Sequence, residues 1–165
     1  MKVMPDGGNI VILEGELATS GQVGLTGGFL EAIKDMPQYK VLDKQTTDWM
    51  RDKAVTVMED FLTKYQEIDF AYCHDDVIAS GAFQAIEAAG REGILSCAVG
   101  ASFEACDMIR EGKLAFAIDQ PPEYESRISV QLAIRICNGE KLDKIHYITV
   151  GLVDADNVDT FEPVF

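Results

Sequence analysis

The sequence predicts an α/β fold, a three-layer αβα sandwich around a mainly parallel sheet. Short apolar runs alternate five times with longer segments whose apolar residues recur at helical spacing. This order is typical of parallel strands joined by right-handed crossover helices. The runs are continuously apolar rather than alternating, which indicates strands buried on both faces of the sheet. With 165 residues, 47% of them hydrophobic, the chain is long enough for one domain with a sizeable core.

The first half of the chain contains three of the predicted strands and three helices. Apolar residues at near-helical spacing predict a first helix from Gln22 to Lys34. A second helix runs to Tyr65, and either Thr47 or Asp48 can accept the backbone N–H groups at its start. A third helix follows the third strand and ends at Gly90, because glycine favours the left-handed conformation after a helix. The three strands are "NIVILEG", "YKVLDKQ" and "IDFAYC".

The second half repeats the alternation and closes with a strand and a tail. A short helix is predicted from Ser102 to Glu111, ended by Gly112. Two prolines suit the first turn of a helix, so the segment 121–139 is predicted as the last helix. The three strands are "ILSCAV", "KLAFAID" and "HYITVGLV". We find no linker or internal repeat and expect residues 1–165 to form a single α/β lobe.

Composition excludes several classes of partner. The formal net charge is −14, which disfavours nucleic acid, because Lys and Arg must neutralise phosphates, and equally disfavours anionic membrane surfaces. No run approaches the roughly 18 apolar residues of a membrane span, and no signal peptide is recognisable at the start. The four cysteines show neither CxxC nor zinc-site spacing, so they are interpreted as free thiols, most of them buried.

Two adjacent carboxylates lie where the third strand meets its helix, in "HDD". Ligands of such folds meet the carboxyl ends of the strands, and this motif is at one of them. Asp76 is predicted to cap the helix, and Asp75, one residue earlier, is predicted to face the floor of a cleft. His74 could join them around a metal, but three consecutive residues rarely converge on one ion, so no metal is predicted.

Motifs of catalysis and cofactor binding are missing. No GxGxxG and no P-loop opens the first helix, and Ser20, Cys73 and Cys97 have no recognisable histidine partner, so we predict neither an enzyme nor a cofactor. A small flavodoxin-like enzyme or a phospho-receiver is the alternative from a different class. Trp49, the single tryptophan, stands at a strand-to-helix junction, either as a packing residue at the rim or as a flat face for a ligand ring.

Several motifs in succession carry a resemblance that covers nearly the whole chain. They are "GNIVILEGELATSGQ", "TTDWMRDKAVTVMEDFLTKY", "IDFAYCHDDVIASGAFQAIEAAGR", "EACDMIREGKLAFAIDQPP" and "ITVGLVDADNVD". Together they resemble the sugar-binding type I periplasmic binding proteins, the ribose-binding group. The resemblance implies one flavodoxin-like lobe of a two-lobe protein that holds its sugar between the lobes. The chain resembles the C-terminal lobe, and helix 121–139 belongs, in that family, to the other lobe.

The resemblance also implies site residues, position by position. The family's ring-stacking aromatic falls on Trp49, its strand-end asparagine on Asp75 and its hinge glutamine on Gln120. Two expected polar contacts are lost, because the family's arginine falls on Val23 and its aspartate on Gly100. Each lost charge-assisted bond is worth roughly 1.5–3 kcal/mol, so weak binding or none is expected of this lobe alone.

The resemblance implies a non-enzymatic sugar-binding module of an ABC-type importer, truncated to one lobe. It also implies a periplasmic or extracellular location, and an ABC permease as the partner of the full-length protein. The effector domain of a LacI-type regulator shares the fold and is the nearer alternative. Helix 121–139 is apolar around much of its circumference, which predicts that it is buried on more than one side. It is expected either to fold back onto its own sheet or to cross to a second copy, and a homodimer is favoured.

Overall fold

Six strands form one sheet in the computed structural model, which describes residues 3–165. The strand order is β2-β1-β3-β4-β5-β6; neighbouring strands are parallel except β6, which runs antiparallel to β5. The mainly parallel α/β sheet predicted from the sequence is thus confirmed. The strands are β1 Gly8–Glu14, β2 Tyr39–Thr46, β3 Phe70–Cys73, β4 Leu95–Gly100, β5 Phe116–Asp119 and β6 Gly151–Asp154. The helices are α1 Ser20–Ile33, α2 Arg51–Lys64, α3 Asp76–Ala88, α4 Phe103–Arg110 and α5 Pro122–Cys137.

The two faces of the sheet are covered unequally. Alternate residues of a strand point to opposite faces. Val11 and Leu13 therefore belong to one apolar cluster, which α2, α3 and α4 complete, while Ile10 and Ile12 belong to another. Only α1 among the helices packs on this second face, where Phe29 stacks on Tyr72 of β3 with ring centroids 4.6 Å apart.

The start of α2 differs from the prediction. The residue before the helix is Met50, which supplies no side-chain cap, so neither Thr47 nor Asp48 caps it. The Thr47 hydroxyl instead donates to the carbonyl oxygen of Glu14 at 2.9 Å. Asp48 and Trp49 both adopt left-handed backbone conformations, with φ of 50° and 61°, and form the turn that joins β2 to α2. The turn is tied to β1, and this use of Thr47 leaves no hydroxyl for capping.

The last strand is shorter than "HYITVGLV" predicts. Pairing begins only at Gly151, and residues 141–150 form no regular structure. β5 offers four pairing positions, from Phe116 opposite Asp154 to Asp119 opposite Gly151. Residues before Gly151 extend past the end of β5 and have no strand to pair with. Tyr147 is 90% exposed as a result.

The last helix packs against neither face. α5 contains no buried residue, and Val130, Ile134 and Ile136 are all exposed. Folding of helix 121–139 back onto its own sheet, one of the two expected arrangements, is therefore not observed. The chain leaves the sheet at Asp119 and returns beside it at Gly151, so residues 120–150 project from the carboxyl edge.

Candidate functional site

Two neighbouring cavities open at the carboxyl edge of the sheet. One has a volume of about 430 Å³ and is lined by Trp49 and His74, among others; the second, of about 600 Å³, is lined by Asp76 and Gly100. Asp75, Val99 and Gln120 line both. The structure thus brings together three of the residues singled out in the sequence, Trp49, Asp75 and Gln120, and places Gly100 beside them.

Trp49 lies over the turn between β1 and α1. A Cβ atom built on Gly15 would fall 2.1 Å from Cζ2 of the indole, so the ring occupies the space that any other side chain at position 15 would need. The indole centroid is 6.1 Å from the His74 ring, with the planes tilted by 41°. Thr46 Oγ1 lies 2.7 Å from the Gly15 carbonyl oxygen and joins the turn before Trp49 to the same segment. The indole is half-buried, and part of it faces the smaller cavity.

Asp75 takes the capping role predicted for Asp76 and also keeps its own predicted place at the cleft. Asp75, not Asp76, is the N-cap of α3: its Oδ1 accepts the Ile78 N–H at 2.6 Å. Asp76 is the first helical residue, and its Oδ2 accepts the Ser102 N–H at 2.7 Å, which joins α3 to the start of α4. The strand ends at Cys73, so His74 and Asp75 make the turn and Asp75 reaches the capping position. Asp75 also lines both cavities, as the cleft-floor prediction required.

Burial dominates the electrostatics of both aspartates. It raises the pKa of Asp75, with a further rise from the charge of Asp76, against the hydrogen bond from Ile78. It likewise raises the pKa of Asp76, and the hydrogen bonds from Ser102 and from the Ala101 backbone offset only part of this effect. Oδ1 of Asp76 is buried without a hydrogen-bond partner among the residues described.

A buried polar network lies beneath the smaller cavity. Oε1 of Glu14 accepts hydrogen bonds from Gln22 Nε2 at 2.9 Å and from the Thr26 hydroxyl, and Lys44 Nζ is 3.5 Å away. Burial acts to raise the pKa of Glu14, but the bonds from Thr26 and Gln22 and the charge of Lys44 outweigh it and hold the pKa below its usual value. Gln22 and Thr26 are the only buried residues of α1, so polar groups anchor its first half, while Phe29 and Ile33 pack its second half on the apolar cluster.

His74 completes the network in one tautomer. Its Nδ1 accepts the Gly15 N–H at 3.2 Å, so Nε2 must carry the ring hydrogen. Nε2 lies 3.2 Å from Thr26 Oγ1, to which it donates, while the Thr26 hydroxyl donates to Glu14. Burial lowers the pKa of His74 to about 4 against the pull of Glu14, so the ring is neutral at pH 7. The neutral ring holds strand β3, helix α1 and the Gly15 turn in register.

Val23 and Gly100, where the resemblance implied lost contacts, differ in their position relative to the cavities. Val23 is 59% exposed and lines neither cavity, because α1 turns Gln22 and Thr26 inward and Val23 outward. Gly100 has a φ of 149°, and a Cβ there would come within 2.5 Å of Asp76 Oδ2. A side chain at position 100 is therefore excluded by the present position of Asp76, and the polar contact once expected there has no room.

Sequence reasoning missed the network of Glu14, Gln22, Thr26 and His74. A signal existed, because Gln22 and Thr26 are four residues apart and share one helix face, while Glu14 ends an otherwise apolar strand. His74 was considered only as a metal ligand. Within residues 3–165, no group of three or more His, Cys, Asp or Glu side chains is arranged to hold a metal ion.

Features away from this edge do not compete for the role of site. A cavity of about 440 Å³ beside β5 and β6 is lined mainly by apolar groups, including Val3, Phe116 and Leu152, and contains none of the predicted residues. The four cysteines are free, three of them buried, with Cys137 exposed. In the described part of the chain, none of the helices is both long and apolar enough to cross a bilayer.

Comparison with known proteins gives a consistent result. The sequence profile of the family described as "Periplasmic binding protein domain" matches residues 1–141. A xylitol-binding protein of Mycolicibacterium smegmatis is 29% identical over 153 residues, 92% of this chain and 44% of the relative. The ribose import binding protein of Salmonella typhimurium is 26% identical over 148 residues, 90% of this chain and 50% of the relative.

The solved structures agree with the sequence relatives. An ABC transporter periplasmic solute binding protein from Actinobacillus succinogenes, with bound D-allose, superposes with a TM-score of 0.87 at 26% identity. The match covers 97% of this chain and 57% of that one. The chain thus spans about half the length of the curated relatives it matches.

Proposed function

The chain belongs to the periplasmic binding protein domain family, and from this we propose that it is a non-enzymatic solute-binding module for a sugar or related polyol. The ligand site is the carboxyl edge of the sheet, at the two cavities that share Asp75, Val99 and Gln120. Relatives named for binding ribose and xylitol, and a similar structure with bound D-allose, support this class of ligand.

The placement of Trp49 beside polar side chains is the observation that carries the proposal. A sugar has an apolar face of C–H groups and a rim of hydroxyls, and it needs an aromatic surface and hydrogen-bonding partners together. Trp49 supplies the surface, while Asp75 accepts hydrogen bonds and the Gln120 amide both donates and accepts. Both cavities open to solvent on one side, which fits weak binding by this chain alone.

The biological setting follows the family. The family is described as a periplasmic binding protein domain, and a similar solved structure is named a periplasmic solute binding protein of an ABC transporter. We propose that this chain also acts outside the cytoplasmic membrane, delivering solute to the permease of an ABC importer. We further propose that it corresponds to the C-terminal lobe, with residues 121–139 serving as the helix that contacts the other lobe. The absence of buried residues in α5 supports this assignment.

Two features favour binding over catalysis. Both ring nitrogens of His74 are engaged, one as acceptor from Gly15 and one as donor to Thr26, so the imidazole has no free lone pair to act as a base. Burial raises the pKa of the Cys73 thiol well above its usual value, which suppresses the nucleophilic thiolate. We therefore expect the protein to bind and release its ligand without changing it chemically.

Tryptophan fluorescence tests the proposal, because Trp49 is the only tryptophan. Xylitol, D-ribose and D-allose are titrated to high millimolar concentration, and at least one is expected to change the emission saturably. Gln120→Ala should weaken that response, whereas Gln66→Ala, an exposed amide at the opposite edge of the sheet, should not. The proposal would be contradicted if Gln120→Ala left the fluorescence response unchanged, or if the ligand were recovered chemically altered.

A further inference from the structure

The indole of Trp49 rests on a floor made by Gly15 and His74. Its Cζ2 lies 2.1 Å from the position that a Cβ of Gly15 would take, so the ring and this stretch of backbone are in close contact. The His74 ring lies beside it, with the centroids 6.1 Å apart. Trp49 itself belongs to a turn and not to a helix or strand, so the ring depends on this floor for its position. A displacement of the floor therefore displaces the surface on which a sugar would stack.

A hydrogen bond to His74 holds the backbone of Gly15 in place. The Gly15 N–H donates to Nδ1 at 3.2 Å, which requires that Nδ1 carry a lone pair and no hydrogen. With the ring hydrogen on Nδ1, two N–H groups would point at each other, and Gly15 would have to move away. The tautomer of His74 thus decides where the Gly15 turn lies.

The tautomer of His74 is in turn set by Thr26. Nε2 of His74 lies 3.2 Å from Thr26 Oγ1, and a hydroxyl group has one hydrogen to donate. In Thr26 that hydrogen goes to Oε1 of Glu14, so the oxygen offers His74 only a lone pair, and Nε2 must be the donor. Burial acts to raise the pKa of Glu14, but hydrogen bonds from Thr26 and Gln22 keep it below its usual value, so the carboxylate remains an acceptor.

The network reaches the ligand site only through His74. Glu14 and Thr26 are 1% and 5% exposed, and neither lines either of the two cavities, whereas His74 lines the smaller one. Buried polar networks whose hydrogen bonds are satisfied fix a single arrangement of the chain, while their net contribution to stability is often small. Any effect of Glu14 and Thr26 on a ligand is therefore an effect on the position of other groups.

We propose that Thr26 is a positioning residue for the solute that binds at Trp49. Oriented by Glu14, the Thr26 hydroxyl fixes the tautomer of His74, and the fixed tautomer holds the Gly15 turn beneath the indole. The inference rests on the proposed solute-binding function and adds a residue that does not touch the ligand to those that determine its affinity. Without the Thr26 hydroxyl, the Nε2–H of His74 loses its acceptor. The ring must then rotate or carry its hydrogen on Nδ1, and either change releases the Gly15 N–H.

Thr26→Val tests the proposal, because it removes the hydroxyl and keeps a branched side chain of similar shape. Nitrogen-15 spectra at pH 7 distinguish the two tautomers, and only two histidines contribute, His74 and the exposed His146. The wild type should carry the His74 hydrogen on Nε2. In Thr26→Val the His74 nitrogen shifts and the Trp49 emission should change before any ligand is added. The dissociation constant of the tightest-bound of xylitol, D-ribose and D-allose, measured from amide shifts, should rise about fivefold, the size of one aromatic contact.

Three further variants separate positioning from a general loss of packing. Thr26→Ser keeps the hydroxyl and should retain the wild-type ring shifts, emission and affinity, although it removes a methyl group. Thr26→Ala also lacks the hydroxyl but forces no larger group into the site, and it should reproduce the changes of Thr26→Val. Thr56→Val makes the same substitution at an exposed position of α2 and should alter none of the three measurements.

The outcomes separate this inference from the function beneath it. A wild-type His74 with its hydrogen on Nδ1 would overturn the inference, whether or not the variants fold. Unchanged emission and affinity in Thr26→Val and Thr26→Ala, or a Thr26→Ser that behaves as they do, would also overturn it. In each of these cases saturable binding by the wild type leaves the proposed function intact. A wild type that responds to none of the three solutes would overturn the proposed function and this inference together.

Discussion

Replacing Gly15 by alanine puts a methyl group where the indole of Trp49 lies. The added Cβ would stand 2.1 Å from Cζ2, 2.2 Å from Cε2 and 2.3 Å from Cη2 of the ring. Non-bonded carbon atoms settle at about 3.5–4.0 Å, so the ring must retreat by roughly 1.5 Å or the turn must open. Gly15 has no left-handed backbone conformation, so steric overlap with Trp49, and not backbone strain, is what the substitution tests.

The expected loss of stability follows from that overlap. Overpacking of this kind typically lowers the free energy of unfolding by about 1–3 kcal/mol. Alanine also reduces the conformational entropy of the unfolded chain, which offsets about 0.4–1 kcal/mol of this loss. A net destabilisation of about 1–2 kcal/mol corresponds to a fall in Tm of roughly 2–8 °C for a chain of this size. The displaced ring should also shift the tryptophan emission, because Trp49 is the only reporter.

Gly21 supplies a matched control on the same ring. A Cβ at Gly21 would lie 3.7 Å from Trp49 Cζ2, an ordinary contact, and the residue is in helix α1. Gly21→Ala should therefore not destabilise the chain, and because Gly21 lies in the first turn of α1 any gain should be below the about 0.5–1 kcal/mol of a mid-helix site. Thermal unfolding followed by circular dichroism, with emission spectra, measures both variants. An unchanged Tm and emission in Gly15→Ala would refute the placement of Trp49 over the β1–α1 turn.

Four further predictions concern protonation, capping, affinity and assembly. The free energy of unfolding should fall by on the order of 3 kcal/mol as the pH is lowered from 6.5 to about 4. In this range His74 binds a proton in the unfolded chain, where its pKa is near 6.5, but not in the folded chain, where its pKa is about 4. In His74→Gln the fall should be shallower. Asp75→Ala should cost about 1 kcal/mol more than Asp75→Asn in urea unfolding, because asparagine also caps a helix. Calorimetry on this chain alone should find no monosaccharide bound more tightly than about millimolar, some 4 kcal/mol, since the cavities are open on one side. Sedimentation equilibrium at micromolar concentration should show a dimer through α5, weakened by Ile134→Glu, because this helix exposes its apolar residues.

Each of these four has an outcome that contradicts it. Parallel pH profiles of the wild type and His74→Gln would mean that His74 is not buried neutral. Equal costs of the alanine and asparagine variants would remove Asp75 from the cap. A micromolar dissociation constant for any simple sugar would show that this chain holds a complete site. A monomer of 18.1 kDa across the concentration range would rule out self-association.

Regular elements were predictable from the sequence because their signals are local. The continuous apolar runs located all six strands, the positive-φ Gly90 and Gly112 follow α3 and α4 as expected, and Ser102 caps α4. The one strand predicted too long, β6, depends on its partner. Its pairing ends where β5 ends at Asp119, and the length of a neighbouring strand is not visible in the residues of β6 itself.

The candidate site was predictable in outline only. Asp75, Trp49 and Gln120 meet at the carboxyl edge because parallel strands end together, a consequence of topology alone. Strand β3 ends at Cys73 as predicted, but the cap of α3 lies one residue earlier than expected, at Asp75 rather than Asp76. The tautomer of His74 depends on groups 48 and 59 positions away in the sequence, which only the folded chain brings together.

The most direct measurement of the central claim is a map of amide chemical shifts on adding xylitol, D-ribose or D-allose. We expect saturable shifts at the carboxyl edge, at Gly15, Asp75, Ile78 and the Trp49 indole, with millimolar midpoints. Amides at the amino edge, such as those of Asp69 and Leu95, should stay unperturbed. Saturable shifts centred instead on the apolar cavity beside β5 and β6, or no shifts with any of the three, would contradict a solute-binding site at the carboxyl edge.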